Sequence, residues 1–77
     1  MPEPTLIDAR GSYCPGPLME LIASLRRAEV GTIFELLSSD AGTARDVPEW
    51  VRKVGHALER TEQDPGGVWH LFVRKVK

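Results

Sequence analysis

One stretch of the sequence concentrates the groups that could do chemistry, and it lies just ahead of a predicted helix. It reads Asp8-Ala9-Arg10-Gly11-Ser12-Tyr13-Cys14-Pro15-Gly16-Pro17 and contains the single cysteine of the chain. A thiol at a helix N-terminus meets the positive end of the helix dipole, which favours the thiolate and lowers the thiol pKa below its free value of about 8.5. Thiolates attack sulfur and carbon electrophiles, so Cys14 is the candidate reactive group.

The residues around this cysteine favour an exposed thiol over a buried one. Free cysteines are often buried, and a structural role is the ordinary reading for a lone cysteine. Pro15 and Pro17 suit the first turn of a helix, where N–H groups have no partner, and Gly11 favours a turn. A loop rich in glycine and proline is a poor place to bury a side chain. Arg10 would add positive charge if the loop folds it over the thiol.

Other kinds of chemistry have weaker support in the sequence. His56 and His70 are far apart and show no metal-ligand spacing with the cysteine, so each is expected to be solvent-facing or hydrogen-bonded. Asp8, Asp40 and Asp46 could supply an acid–base pair. Capping of loops and helices is the commoner use of aspartate at such positions.

Composition narrows the class of protein. The chain has 77 residues and a net charge of -1, which gives no bulk attraction to nucleic acid or anionic lipid. No apolar run approaches the roughly 20 residues of a membrane helix, and the N-terminus does not have the pattern of a signal peptide. A lone thiol suits a reducing compartment. We therefore expect one cytoplasmic domain over residues 1–77, with a loose lead-in at 1–4 and no membrane association.

Apolar periodicity and turn signals predict six elements. Strands are expected at Thr5–Asp8, Thr32–Ser38 (an interior strand, from its near-continuous apolar run), Glu59–Gln63 (a polar, weak edge strand) and Val68–Val76. Helices are expected from Leu18, ended by Gly31 as a C-terminal cap, and from Val47, with residues 43–46 as a separate opening turn and Asp40 or Thr43 as its cap. The order βαβαββ predicts an α/β (α+β) two-layer sandwich, with a mixed four-stranded sheet and both helices on one face.

Two motifs in this chain resemble those of the TusA (SirA-like) sulfur-carrier family. The first is Asp8-x-Arg10-Gly11-x-x-Cys14-Pro15-x-Pro17, with the family's Cys-Pro-x-Pro signature placed before the first helix. The second is Asp40-x-x-Thr43-x-x-Asp46-Val47-Pro48, which leads into the second helix. The resemblance spans roughly residues 5–76 and agrees with the predicted order of elements.

The resemblance implies a small carrier that holds a sulfane sulfur as a persulfide on its cysteine and has no resident cofactor or metal. The donor would be a cysteine desulfurase or a rhodanese-like protein. The acceptor would be a protein of tRNA thiolation, molybdenum-cofactor assembly or dissimilatory sulfur metabolism. The protein would act as a component of a sulfur-transfer chain, and as a monomer, rather than as a free-standing enzyme.

By position in the motifs, the resemblance assigns the persulfide to Cys14 and the shaping of the loop to its neighbours. The supporting positions are Asp8, Arg10, Gly11, Pro15, Pro17, Asp40, Thr43 and Asp46. Relatives often carry a charged or polar residue at position 16, where this chain has Gly16, and this difference concerns the choice of partner.

Two other functions stay open at the level of the sequence. Basic pairs such as Arg26-Arg27 and Arg52-Lys53 could belong to a regulatory or RNA-binding module that needs no thiol, although direct binding of nucleic acid is not expected. A thiol redox sensor would form a sulfenic acid on Cys14, but the chain offers no resolving cysteine.

Overall fold

Three apolar strands and one polar edge strand form one sheet, and two amphipathic helices cover one face of it. The computed structural model describes residues 3–13 and 15–77. In chain order the elements are β1 (Thr5–Asp8), α1 (Gly16–Arg27), β2 (Ile33–Ser38), α2 (Ala41–Val54), β3 (Ala57–Gln63) and β4 (Trp69–Arg74). The strand order is β1-β2-β4-β3, with β1 parallel to β2 and the other pairings antiparallel. The predicted βαβαββ two-layer sandwich is confirmed.

The core lies between the helices and the two central strands. Phe34 pairs with Val73 and Leu36 pairs with Leu71, so these four side chains share the face of the sheet that meets the helices. Each is almost wholly buried. A buried aliphatic or aromatic side chain stabilises the fold by roughly 1.5–3 kcal/mol relative to its exposed state. The core cluster is completed by Ala9, Leu21, Leu25, Val47 and Val51.

Within residues 3–13 and 15–77, no helix packs on the opposite face of the sheet, which is covered by its own long side chains. Phe72 points to this face, yet only 7% of it is exposed, because the guanidinium of Arg60 lies 4.0 Å from the centre of its ring. A cation held over an aromatic face is attracted by the ring electrons. The sequence alone does not decide whether Leu71 and Val73 or Phe72 and Val76 face the core, and the structure assigns Leu71 and Val73 to it.

The end of α1 differs from the prediction. Gly31 does not cap the helix, which ends at Arg27 with Ala28 as an extended C-cap residue. The ammonium of Lys75 donates hydrogen bonds to the carbonyls of Leu25 and Ala28, at 2.6 and 2.7 Å, and so satisfies the helix end in place of a glycine cap. Gly31, at φ +97°, instead forms the turn into β2.

The start of α2 also differs from the prediction. Residues 43–46 are not a separate opening turn, since the helix runs without interruption from Ala41 and contains Pro48 in its interior. Proline lacks an N–H and is tolerated best in the first turn of a helix, which favours a helix start near Val47. Asp40 caps the helix far enough upstream for a full turn to form before the proline. The structure also places β3 at the sheet edge, as expected, but it begins at Ala57.

The other strand bounds shift by one or two residues from the predicted ones, as is usual at element ends. Of the helices in the described ranges, neither has the length and apolarity that a membrane span requires.

Candidate functional site

The candidate site lies where β1 and β2 end and the loops into α1 and α2 begin. Because β1 and β2 are parallel, their carboxyl ends meet at the same edge of the sheet. The backbone N–H of Gly11 donates a hydrogen bond of 3.0 Å to Oγ of Ser39, which ties the two loops together. Gly11 adopts φ +85°, a conformation that favours glycine. Cys14 lies outside the described residues, whereas its neighbours Tyr13 and Pro15 lie within them.

An ion pair fixes the exit of β1. The guanidinium of Arg10 donates to both carboxylate oxygens of Asp8, at 2.9 and 2.7 Å, and the Arg10 backbone N–H donates to the same carboxylate. These hydrogen bonds lower the pKa of Asp8 to about 2, so the carboxylate stays ionised at physiological pH. The Arg10 charge is thus paired locally with Asp8.

The residues that flank the cysteine in sequence form the start of α1. The N–H of Gly16 donates to the carbonyl of Tyr13 at 2.8 Å. Pro15 is the N-cap residue and supplies no side-chain cap, and Pro17 is buried. Tyr13, by contrast, is 78% exposed. The buried Pro17 therefore anchors the helix start to the core, while Tyr13 projects outwards.

The second motif builds the start of α2. One carboxylate oxygen of Asp40 accepts hydrogen bonds from the backbone N–H of Thr43 at 3.1 Å and from its hydroxyl at 2.9 Å. The N–H of Asp40 donates to Oγ of Ser38, which is fully buried, as is Thr43. Asp46 follows one helical turn later and accepts from Nε of Arg45 at 3.2 Å. Asp40 therefore acts as a helix cap, one of the two roles expected from the sequence.

Loss of the Asp40 cap should destabilise the protein. We expect Asp40→Ala to lower the free energy of unfolding by about 1 kcal/mol, within the 0.5–2 kcal/mol typical of N-cap removal. Asp40→Asn keeps a side-chain acceptor for the Thr43 N–H and should lie close to wild type. Urea unfolding followed by circular dichroism measures both, and equal losses in the two variants would contradict the capping role.

Two serines contribute to the site that the motifs did not single out. Ser39 accepts the Gly11 N–H, and Ser38 accepts the Asp40 N–H. The only signal in the sequence was the turn-forming character of the stretch that begins at Ser39. Their partners depend on how the two loops meet, which spacing along the chain does not indicate.

A histidine on the helix-free face of the sheet lies between two carboxylates. Nδ1 of His70 is 2.7 Å from Glu35 and Nε2 is 2.9 Å from Asp64. Both ring nitrogens must carry protons to donate to both carboxylates, so these bonds raise the pKa of His70. Each carboxylate is hydrogen-bonded to a different ring nitrogen, and the described ranges contain no cluster of side chains that could hold a metal ion. His70 is thus a hydrogen-bonded histidine, one of the two roles expected for it.

The raised pKa of His70 predicts a loss of stability at alkaline pH. Because the folded protein holds this proton more tightly than the unfolded chain, the contribution is complete below the unfolded pKa of about 6.5 and is lost as pH rises through the folded pKa. We expect the free energy of unfolding to fall above pH 6.5 in wild type and to change less in His70→Gln. Burial and the charges of Lys75 and Lys77 lower the pKa of His56, so its titration affects stability below pH 6.5.

Urea unfolding between pH 6 and pH 9, with the two chains compared at each pH, measures this difference. Parallel pH profiles for wild type and His70→Gln would show that the Glu35–His70–Asp64 bridge does not stabilise the fold.

Comparison with known proteins places the chain in a family. The family model described as Sulfurtransferase TusA matches residues 5–75. A protein of Archaeoglobus fulgidus, provisionally named a sulfur carrier protein, is 51% identical over 72 residues, which are 94% of this chain and 97% of that protein. Sulfur carrier protein TusA of Pseudomonas putida (strain W619) is 31% identical over 70 residues, covering 91% of this chain and 86% of the relative.

The fold has a solved counterpart. The crystal structure of a SirA-like protein from Desulfitobacterium hafniense superimposes with a TM-score of 0.83 and covers 95% of this chain and 99% of that one. At 19% sequence identity, this likeness supports the fold alone. The family match and the named relatives, together with the two motifs placed at adjoining helix starts, show that the chain belongs to the TusA family of sulfur carrier proteins.

Proposed function

We propose that the protein accepts a sulfane sulfur as a persulfide on Cys14 and passes it to a second protein. The observation that carries the proposal is the position of the single cysteine, in the Cys-Pro-x-Pro motif of a chain that belongs to the TusA family. The loop geometry on either side of the cysteine supports it. Tyr13 and Pro15 are exposed, which suits a group that partner proteins must reach.

The chemistry needs one attack and no oxidant. The thiolate of Cys14 attacks the outer sulfur of a persulfide on the donor protein. A new sulfur–sulfur bond forms on Cys14, the donor's sulfur–sulfur bond breaks, and the donor leaves as a thiolate. Delivery is the same exchange in reverse, with a thiolate of the acceptor attacking the outer sulfur now held on Cys14.

The absence of a second cysteine in the chain suits this role. A neighbouring thiol would attack the inner sulfur of the persulfide, form an intramolecular disulfide and release the cargo as hydrogen sulfide. A carrier with one cysteine holds its sulfur until another protein arrives. A dithiol oxidoreductase would need the second thiol.

The donor class that fits is a cysteine desulfurase or a rhodanese-like protein, since both present a persulfide. Acceptors would be thiol-bearing proteins of tRNA thiolation, molybdenum-cofactor assembly or dissimilatory sulfur metabolism. We propose a monomer in the cytoplasm, because a carrier must present one loop to more than one partner. The helix start at Pro15 and the hydrogen bond from Gly11 to Ser39 would fix the two ends of the loop that contains the cysteine.

Intact-mass spectrometry tests the proposal. Incubation of the wild-type protein with a cysteine desulfurase and cysteine should add the mass of one sulfur atom or more, and dithiothreitol should remove it. As a control, the desulfurase incubated with cysteine and dithiothreitol alone should release sulfide, which shows that the donor is active. An unmodified protein in the presence of that competent donor would contradict the proposal for this class of donor, and a persulfidated rhodanese is then the second donor to test.

A further inference from the structure

The end of the molecule opposite the candidate site carries a cavity of about 230 Å³ between the two helices and the C-terminal tail. The helix α1 is about 18 Å long at 1.5 Å per residue, and the cavity adjoins its C-terminal turns, whereas Cys14 precedes its N-terminus. Its apolar wall consists of Ile22, Leu25, Trp50 and Val54. A cavity of roughly 150 Å³ accommodates benzene, so an aromatic ring fits here with room for a further group.

The rest of the cavity wall is basic. It consists of Arg26, His56, Lys75 and Lys77, and none of the described acidic residues lines the cavity. None of the ion pairs found within residues 3–13 and 15–77 involves Arg26, Lys75 or Lys77. We call this feature the basic cavity.

Neutralisation of the helix ends accounts for only part of this charge. Each helix C-terminus carries about half a negative elementary charge, so α1 and α2 together supply about one. Lys75 is committed to α1 through its two carbonyl hydrogen bonds. Lys77 lies beside the end of α2. Its Nζ would be 3.0 Å from a Cβ placed on Gly55, the C-cap residue of that helix. Arg26, Lys75 and Lys77 therefore carry more positive charge than the two helix ends neutralise.

An aromatic side chain lies next to these cations. The rings of Trp50 and His56 have centroids 6.2 Å apart and an interplanar angle of 42°. Nδ1 of His56 accepts the N–H of Val76, so in the neutral ring Nε2 carries the proton and is a donor. An apolar wall with a few convergent polar groups is typical of small-molecule sites.

We propose that the basic cavity binds a small organic anion in which a phosphate or carboxylate is joined to an aromatic ring. The ring packs against Trp50 and the apolar wall, and the anionic group meets Arg26 and Lys77. This site does not depend on sulfur carriage by Cys14, so the failure of either proposal leaves the other standing.

Nuclear magnetic resonance of the full chain tests the site with phenyl phosphate as the probe, at about 0.15 M salt, where long-range attraction is screened. Phenyl phosphate should shift the Trp50 indole N–H and the His56 ring signals saturably, with a Kd of about 1 mM or tighter, in the range that a ligand of this size reaches. Phenol and inorganic phosphate, each with one half of the probe, should bind at least about tenfold more weakly.

Exposed basic residues supply matched variants that leave the core intact. Arg26→Gln and Lys77→Gln should each raise the Kd for phenyl phosphate about fivefold. Arg52 lies at the end of α2 but outside the cavity lining, so Arg52→Gln should change this Kd less than about twofold. The proposal is overturned by the absence of saturation, by inorganic phosphate binding as tightly as phenyl phosphate, or by Arg52→Gln weakening the probe as much as Lys77→Gln.

Discussion

Replacing Cys14 with serine is expected to abolish sulfur loading. A serine hydroxyl is not ionised at neutral pH and does not form a persulfide, so no sulfur should remain on Cys14→Ser after incubation with a competent donor. Intact-mass spectrometry of variant and wild type, treated side by side, measures the loss. Circular dichroism of both proteins checks that the fold is retained. Loading of the variant to the wild-type extent would show that sulfur is not held at position 14.

Moving the thiol to another position tests whether loading requires a cysteine at position 14 or only a cysteine in this loop. Ser12→Cys in the Cys14→Ser background returns one thiol to the same loop, two residues further from the helix start. If the start of α1 activates the sulfur, this variant should load far more slowly than wild type. Equal loading rates would mean that any exposed thiol in this loop suffices.

Leu36→Ala is expected to have the largest effect on stability. Leu36 is fully buried in the central strand β2 and belongs to the core cluster between the sheet and the helices. Truncation of a buried leucine costs about 2–5 kcal/mol, because apolar contact is lost and a cavity is left. A domain of this size has a free energy of unfolding at the low end of the usual range, a few kcal/mol. The variant should therefore be largely or partly unfolded at 25 °C.

Urea unfolding of two further variants keeps this prediction measurable. Leu36→Val removes one methylene and should lower the free energy of unfolding less than Leu36→Ala does. The valine variant should therefore be folded at the start of the urea titration. Leu6→Ala truncates a leucine that is 57% exposed on β1 and should change the free energy of unfolding by no more than about 0.5 kcal/mol. Equal effects of Leu6→Ala and Leu36→Ala would contradict the assignment of the core.

Local patterns in the sequence were enough to predict the architecture. Helical spacing of apolar residues and runs of apolar residues indicate five of the six elements, and the near-continuous run in β2 indicates an interior strand. The sixth, β3, is polar and is predicted only as a weak edge strand. The structure confirms the interior position of β2 and the edge position of β3. Element ends were less predictable because long-range contacts decide them. The end of α1 is satisfied by Lys75, from 47 residues further along the chain than Ala28.

The candidate site shows the same division between local and long-range contacts. Asp8 and Arg10 are two residues apart, and their pairing follows from a motif that the sequence displays. The bond from Gly11 to Ser39 joins residues 28 positions apart and has no counterpart in the sequence pattern. The bridge from His70 to Glu35 spans 35 positions, and only the register of β2 and β4 brings its ends together.

The most direct test of the central claim is to locate the transferred sulfur on the chain. The protein is loaded by a cysteine desulfurase supplied with cysteine whose sulfur is isotopically labelled. Persulfides are then alkylated, and the protein is cleaved with trypsin. The peptide Gly11–Arg26 contains the single cysteine of the chain. We expect fragmentation of this peptide to place one labelled sulfur, or a short chain of them, on Cys14. An unlabelled peptide from a protein incubated with a competent donor, or label on any other residue, would contradict it.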